Sequence, residues 1–216
     1  MKNDYGSGPE KISIPPTLLF SLFGDHPDVR FSAPSDFKQV GDIIYLVGAS
    51  KQELGASELA FMLTESGEAV GVGGQVPQLP EPTKNLDRYR ALSQSIRDGL
   101  VTTAHDCSEG GLAVALAEMC IGGRMGAHID IDGSGDADIW GRLWGESLGR
   151  IVVAVSPVHN DTFLATMKGH ETTVLGRVTA EPTLVIEDGL DELLSLDVET
   201  MVEAWKGTLD LTGGVA

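Results

Sequence analysis

The stretch from 104 to 120 constrains the fold more than any other part of the chain. It reads Ala-His-Asp-Cys-Ser-Glu-Gly-Gly-Leu-Ala-Val-Ala-Leu-Ala-Glu-Met-Cys, so a polar cluster leads through two glycines into an apolar run. Leu112, Ala115, Leu116 and Met119 recur at helical spacing, and little polar surface interrupts them. The stretch therefore predicts a buried helix with a polar start.

The polar residues predict where this helix begins. Asp106 and Glu109 have the spacing of a capping box, and Ser108 is an equally good N-cap. Gly110 and Gly111 have no side chains to screen free N–H groups, and a helix start of that kind can hold a phosphate or a carboxylate. The alternative is a capped core helix whose glycines only allow close packing. A glycine-rich start is compatible with both interpretations.

Composition bounds the class of protein. The 216 residues, 42% of them hydrophobic, suit one large domain or two small ones with a substantial core. A formal net charge of −17 argues against nucleic acid or an anionic membrane as the main partner. No signal peptide or membrane-spanning apolar run is visible, and Cys107 and Cys120 form no CxxC motif or paired framework. We expect a cytoplasmic protein without a structural disulfide.

Periodicity in the rest of the chain predicts a mixture of strands and helices. Strands are predicted at 17–23, 41–48, 101–104, 127–131, 151–155, 172–178 and 183–186, and helices after Ser57 and at 86–100, 160–168 and 193–205. The last two strands are predicted to form a hairpin around 179–182, and the glycines at 71–74 a plain loop. Because strands and helices do not alternate strictly, we expect an α+β domain in which a mixed β-sheet is covered by α-helices.

A second polar stretch lies directly before the apolar strand at 151–155. Glu146, Ser147 and Arg150 fall in one turn, where Arg150 can place its guanidinium against a phosphate or pin the turn by an ion pair with Glu146. A catalytic thiol at Cys107, activated by His105, is disfavoured because no orienting group is evident. No HExxH or four-cysteine ligand set occurs, so transition-metal chemistry has no support.

Several motifs together resemble phosphoribosylformylglycinamidine synthase, a ligase of purine biosynthesis. They are His-Asp-Cys-Ser-Glu-Gly-Gly-Leu from His105, Leu-Gly-Ala-Ser-Glu from Leu54, Glu-Ser-x-x-Arg from Glu146 and Glu-Ala-Trp-Lys-Gly from Glu203. Ala56 stands in the second glycine position of its motif, and Trp144 stands where the family usually has phenylalanine. The motifs follow the family order over nearly the whole chain. Aminoimidazole ribonucleotide synthetase, selenophosphate synthetase and hydrogenase-maturation proteins share the architecture but resemble these motifs less.

The resemblance implies the C-terminal domain of the second synthetase repeat, with the fold of the C-terminal domain of aminoimidazole ribonucleotide synthetase. Residues 1–16 would be a connector from an ATP-binding N-domain, 17–207 the domain itself, and 208–216 a disordered tail. In the family a Gly-Lys-Asp-Ser motif directly precedes a segment like 1–4, so the chain resembles a fragment of a longer enzyme. That enzyme uses ATP, Mg²⁺ and ammonia from glutamine to convert formylglycinamide ribonucleotide to its amidine.

The resemblance also implies a site made of two stretches, which we expect to meet at one edge of the sheet. His105 is the candidate catalytic residue, and no residue is expected to bind a metal. The candidates for substrate or phosphate binding are Asp106, Ser108, Gly110, Gly111, Glu146, Ser147 and Arg150. The expected partners are the ATP-binding N-domain, a glutaminase domain or subunit, and the ribonucleotide, and the fragment alone is expected to be inactive. The alternative is a non-catalytic domain that docks the ATP-binding domain or the glutaminase subunit.

Overall fold

The computed structural model describes residues 4–6, 12–13, 19–26, 28–67 and 74–207, which fall into two units, 1–30 and 31–216. In the first unit, β1 (Asp4–Tyr5) and β2 (Ile12–Ser13) form an antiparallel pair. A 3-10 helix follows at Val29–Phe31. The glycines predicted as a loop at 71–73, the predicted tail at 208–216 and most of the predicted connector lie outside the described residues.

The strand predicted at 17–23 is wrong over its described part. Residues 19–26 have no regular secondary structure, and Leu22 and Phe23 are 94% and 99% exposed. An apolar run becomes a strand where a neighbouring strand supplies hydrogen bonds and a packing surface, and residues 19–23 pair with no described strand. Apolar composition alone was therefore an insufficient signal.

The second unit is built on a seven-stranded sheet. Its strands are β3 (Ile43–Val47), β4 (Val101–Asp106), β5 (Gly126–Asp130), β6 (Ile151–Val155), β7 (Thr172–Thr179), β8 (Thr183–Asp188) and β9 (Asp191–Asp197). They lie in the order β4-β6-β3-β7-β5-β8-β9. Neighbouring strands run antiparallel except for β5 and β8, which are parallel, so the sheet is mixed as expected.

Helices pack on both faces of this sheet. In chain order the helices are α1 (Glu58–Glu65), α2 (Pro82–Arg97), α3 (Gly111–Gly123), α4 (Ile139–Trp144), α5 (Asn160–Thr166) and α6 (Val198–Gly207), with a 3-10 helix at Pro157–His159. The helix α1 has no buried residue and contributes to neither core. The predicted buried helix is α3, whose Leu112, Leu116 and Met119 are completely buried in the larger core. Leu92 of α2 and Phe163 of α5 fill the smaller core on the opposite face. The α+β prediction is confirmed, and none of the described helices has the length and apolar content to cross a membrane.

The hairpin predicted around 179–182 is wrong. Although β7 and β8 are consecutive in the chain, β5 lies between them and pairs with both. The connection passes so close to Gly126 that a Cβ there would overlap the carbonyl oxygens of Glu181 and Thr183. The glycine at the start of β5 thus makes room for the connection between β7 and β8. This contact joins residues far apart in the sequence, so local turn signals could not predict it.

The helix predicted at 193–205 begins later in the structure. Its first residues form β9, because Leu194 and Leu196 pair with β8 and pack against the larger core. Asp197 then accepts hydrogen bonds from the N–H groups of Glu199 (2.8 Å) and Thr200 (3.3 Å). This capping starts α6 at Val198 and separates strand from helix within one apolar stretch.

Candidate functional site

The two polar stretches meet where edge strand β4 ends and its neighbour β6 begins. These strands are antiparallel, with Asp106 opposite Ile151. Beyond the ladder, the N–H of Cys107 donates to the carbonyl oxygen of Arg150 at 3.0 Å. The expected meeting of the two stretches at one edge of the sheet is confirmed.

The capping box predicted for α3 is wrong. Asp106 is the last residue of β4, and its carboxylate accepts a hydrogen bond from the Ser108 hydroxyl instead of capping the helix. The helix starts after Gly110, which is left-handed at φ +75° and provides no side-chain cap. The local spacing of acidic residues was misleading because the strand extends to 106, two residues beyond its predicted end.

Gly110 and Gly111 allow close packing, and the N–H groups of both donate hydrogen bonds within the protein. A Cβ on Gly111, at φ +66°, would lie 2.5 Å from the carbonyl oxygen of Gly145 and 2.8 Å from that of Leu143. The N–H of Gly111 donates to the carbonyl oxygen of Ser108 at 3.0 Å. The N–H of Gly110 donates to a carboxylate at 3.0 Å, and that carboxylate belongs to the second stretch. The packing interpretation accounts for Gly111, whereas Gly110 does meet an anion.

That anion is Glu146, which ties three segments together. Its Oε1 accepts the N–H of Gly110 and, at 2.9 Å, the N–H of Glu58 at the start of α1. Its own N–H donates to the carbonyl oxygen of Glu53 at 3.3 Å. Negative charge at helix starts is favourable, so one carboxylate stabilises the beginnings of both α1 and α3.

Arg150 is buried beneath the turn and does not form the predicted ion pair with Glu146. It is 1% exposed, and its guanidinium donates to Ser50 Oγ at 2.9 Å and to the carbonyl oxygens of Ser147 (3.2 Å) and Gly145. Burial lowers the pKa of Arg150 below its ordinary value. The ion pair is absent because backbone carbonyls occupy the guanidinium. These surroundings favour a positioning role over direct contact with a phosphate.

Ser147 is also buried, whereas His105 remains partly accessible. The Ser147 hydroxyl accepts the N–H of Lys51 at 3.1 Å, which joins the turn to the loop after β3. The His105 ring lies 3.2 Å from Glu118 Oε2 through Nε2, and 2.7 Å from the carbonyl oxygen of Asp106 through Nδ1. Glu118 therefore orients the candidate catalytic imidazole from within α3.

The accessible polar groups of the site are few. Asp106 has a side chain that is 73% exposed, and Ser108 is exposed beside it. Cys107 is buried between them, and burial raises the pKa of its thiol to about 11. A protonated, enclosed thiol is a poor nucleophile, which supports the sequence argument against a catalytic cysteine.

Sequence reasoning missed the buried Glu53 and a cleft lined by two glycine-containing loops. Glu53 is 3% exposed and accepts the N–H of Gln78 at 3.1 Å. It immediately precedes the Leu-Gly-Ala-Ser-Glu motif, but its burial depends on the distant 74–78 segment, which no local pattern indicates. A cleft of about 590 Å³ is lined by the glycine-containing loops 48–52 and 133–137. Within the part of the chain that the structure describes, no three His, Cys, Asp or Glu residues are placed to hold a metal ion.

Comparison with known proteins places this fold in a family. The model of the AIR synthase related protein, C-terminal domain, matches residues 39–189. The chain belongs to this family of AIR synthase related C-terminal domains.

Solved structures share the fold. Phosphoribosylformylglycinamidine synthase II from Thermotoga maritima superposes with a TM-score of 0.63 and 21% identity over 80% of this chain and 28% of that chain. The same organism's PurL complexed with FGAR gives 0.64 at 21% identity, covering 80% of this chain and 30% of that one. The hydrogenase maturation protein HypE in complex with ATP gives 0.54 at 15% identity, over 78% of this chain and 55% of that one. The chain thus spans less than a third of the Thermotoga synthase.

Proposed function

We propose that this chain is part of a phosphoribosylformylglycinamidine synthase, in which it forms the C-terminal domain of the second synthetase repeat. The observation that carries the proposal is the junction of two family motifs through Glu146, which links Gly110 in one motif to the turn of the other. The ordered motifs and the shared fold support it further. The parent enzyme would use ATP to activate the amide oxygen of formylglycinamide ribonucleotide, and ammonia would displace the phosphate.

In this proposal the chain supplies one wall of a composite cleft. His105, oriented by Glu118, is the candidate for proton transfer, and Asp106 and Ser108 are accessible enough to contact the ribonucleotide. A larger group positions these side chains and shapes the wall: Gly110, Gly111, Glu146, Ser147 and Arg150. An isolated wall should not catalyse the reaction.

ATP and Mg²⁺ belong to a companion N-domain in this proposal. Among the residues that the structure describes, no three His, Cys, Asp or Glu side chains are placed to hold a metal ion. The glutaminase partner is inferred from the resemblance, and a structure described as PurLQS from Thermotoga maritima has the same fold in part. Two free, buried cysteines fit a cytoplasmic enzyme, since thiols stay reduced there.

Calorimetric titration tests this proposal. The chain is titrated with formylglycinamide ribonucleotide and with magnesium-ATP, alone and after addition of the companion N-domain. We expect saturable binding only in the presence of that domain. Asp106→Asn should weaken ribonucleotide binding about tenfold, because a charged hydrogen-bond acceptor is lost. Asp191→Asn, at the exposed start of the opposite edge strand β9, is the matched control and should change nothing.

Two outcomes contradict the proposal. Absence of ribonucleotide binding in the mixture would remove the substrate assignment, and synthesis of the amidine by the chain alone would remove the assignment as a partial site. A companion domain that binds the chain while Asp106→Asn has no effect would support the alternative of a non-catalytic docking domain. That alternative has its own support, because Ser147, Arg150 and both glycines already use their polar groups within the chain.

A further inference from the structure

The helix α1 is apolar but unburied. It reads Glu-Leu-Ala-Phe-Met-Leu-Thr-Glu, and not one of its residues is buried. Phe61 is 58% exposed and Met62 is 63% exposed. A helix with five consecutive apolar residues is normally enclosed on most sides. In a chain of this charge, such a helix indicates a surface that another molecule covers.

The base of α1 is firmly tied to the domain. The N–H of Gly55 donates to the carbonyl oxygen of Gln75 at 3.0 Å, so the segments on either side of the helix are joined. A Cβ on Gly55 would lie 2.6 Å from the carbonyl oxygen of Gly74. Ser57 caps the helix by accepting the N–H of Ala60 at 3.2 Å and donates to the carbonyl oxygen of Leu54 at 2.8 Å. The helix is therefore presented in a defined position.

Charge and size indicate what covers it. Glu58 and Glu65 stand at the two ends of α1, and the helix contains no lysine or arginine. Two copies packed against each other would bring these glutamates together, on chains that each carry −17. Eight residues make a helix of about 12 Å, far too short to bury the roughly 800 Å² per partner of a standard interface. The charge of α1 therefore disfavours a second copy, and its short length means that α1 forms one part of a larger interface.

We propose that α1 docks into an apolar groove, rimmed by lysine or arginine, on the ATP-binding companion domain. This inference rests on the proposed function and names the contact that assembles its composite cleft. Position supports it, because the N–H of Glu58 is bonded to the same Glu146 oxygen that binds Gly110. A domain seated on α1 is thereby brought alongside the candidate site.

The test measures binding of the whole chain to the purified companion domain by calorimetry. The double variant Phe61→Asp, Met62→Asp should bind about tenfold more weakly, since it places charge at the centre of the contact. The control is Val158→Asp, which changes an 86% exposed residue in the 3-10 helix after β6 and should bind as the wild type does. Glu65→Lys should also weaken binding, and rising salt should weaken the wild-type complex because its rim is charged.

The outcomes separate this inference from the proposed function. If the wild type binds and the double variant binds equally well, the docking role of α1 is overturned and the proposed function stands. If the wild type does not bind the companion domain, both are overturned. If sedimentation shows that the wild type is a dimer and the double variant a monomer, α1 packs against a second copy and the inference is overturned. Circular dichroism of each variant verifies that the domain remains folded.

Discussion

Oε1 of Glu146 and the N–H of Gly110 lie 3.0 Å apart, although 36 positions separate the two residues in the chain. This hydrogen bond joins the two polar stretches that form the candidate site. It gives the glycine-rich start of α3 an anion from the protein itself, at a position where the sequence left open either an external anion or a packing role for the glycines. The start of α3 and the turn that carries Glu146 are therefore held together by the chain's own groups.

Removing the Glu146 carboxylate should loosen the starts of two helices. Glu146→Ala leaves the N–H groups of Gly110 and Glu58 without their acceptor, and we expect a loss of about 2 kcal/mol in the free energy of unfolding. Glu146→Gln keeps an oxygen acceptor but no charge, and it should lose roughly half as much. Urea denaturation measures both. Glu109→Gln, at a nearby exposed residue, is the control; equal losses at 109 and 146 would contradict the bridge.

At Gly111 the energetic cost of a steric clash can be measured separately from the cost of backbone strain. Gly111→Ala should lower the free energy of unfolding by about 3 kcal/mol, because the new Cβ meets backbone oxygens that cannot move freely. Gly189→Ala has nearly the same φ, +65° against +66°, but its Cβ meets nothing within 4 Å. It should cost only about 1 kcal/mol. Similar values for the two variants in thermal or urea unfolding would show that the close packing at 111 is unimportant.

Arg150 should be irreplaceable even by lysine. The guanidinium reaches several acceptors in different directions, including Ser50 Oγ and the carbonyl oxygens of Ser147 and Gly145. An ammonium group cannot reproduce this fork, so Arg150→Lys should cost about 3 kcal/mol. Arg97→Lys, on the exposed surface of α2, should stay within about 0.5 kcal/mol. A folded Arg150→Lys protein with wild-type stability, measured by differential scanning calorimetry, would refute the positioning role.

The buried thiols should make the protein sensitive to alkaline pH. Burial raises the pKa of Cys107 from 9.0 to about 11 and that of Cys120 to about 12. Above pH 9 the unfolded chain therefore releases protons that the folded chain retains, so the free energy of unfolding falls as pH rises from about 9 to 11. Below pH 8 these groups contribute no pH dependence.

Replacing both cysteines isolates this effect. Between pH 8 and pH 10 the wild type should lose about 1 kcal/mol per thiol more than the variant Cys107→Ala, Cys120→Ala, measured by urea denaturation at each pH. Comparison of slopes removes the contribution of lysines and tyrosines that titrate in the same range. Parallel curves would mean that the thiols ionise as readily in the folded chain as in the unfolded one.

Sequence patterns predicted the parts of this fold that depend on local periodicity. The buried α3 was predictable because Leu112 and Met119 repeat at helical spacing, and the all-apolar β3 because residues 43–47 are flanked by turn residues. The meeting of the two site stretches was predictable only through the family resemblance. Periodicity carries no information on which strands become neighbours.

Several of the failures share a physical cause, since a distant segment decides a local conformation. The order of β7, β5 and β8 depends on Gly126, which lies far from the turn that it accommodates. The start of α3 depends on Glu146, which lies far from the acidic residues that suggested a capping box. The role of Arg150 could not be predicted from local sequence either. Its charge predicted a phosphate ligand or an ion pair, whereas in the structure it is buried and donates hydrogen bonds to backbone carbonyls.

The order of strands also has a consequence for synthesis on the ribosome. Strand β3 is central in the sheet, yet both of its neighbours, β6 and β7, are translated long after it. Until Val155 has emerged, the apolar segment 43–47 has no completed partner on either side, and one side stays open to other chains until β7 has also been translated. Long-range pairing of this kind slows folding and exposes aggregation-prone surface. Nascent chains truncated before β7 should therefore bind chaperones through β3.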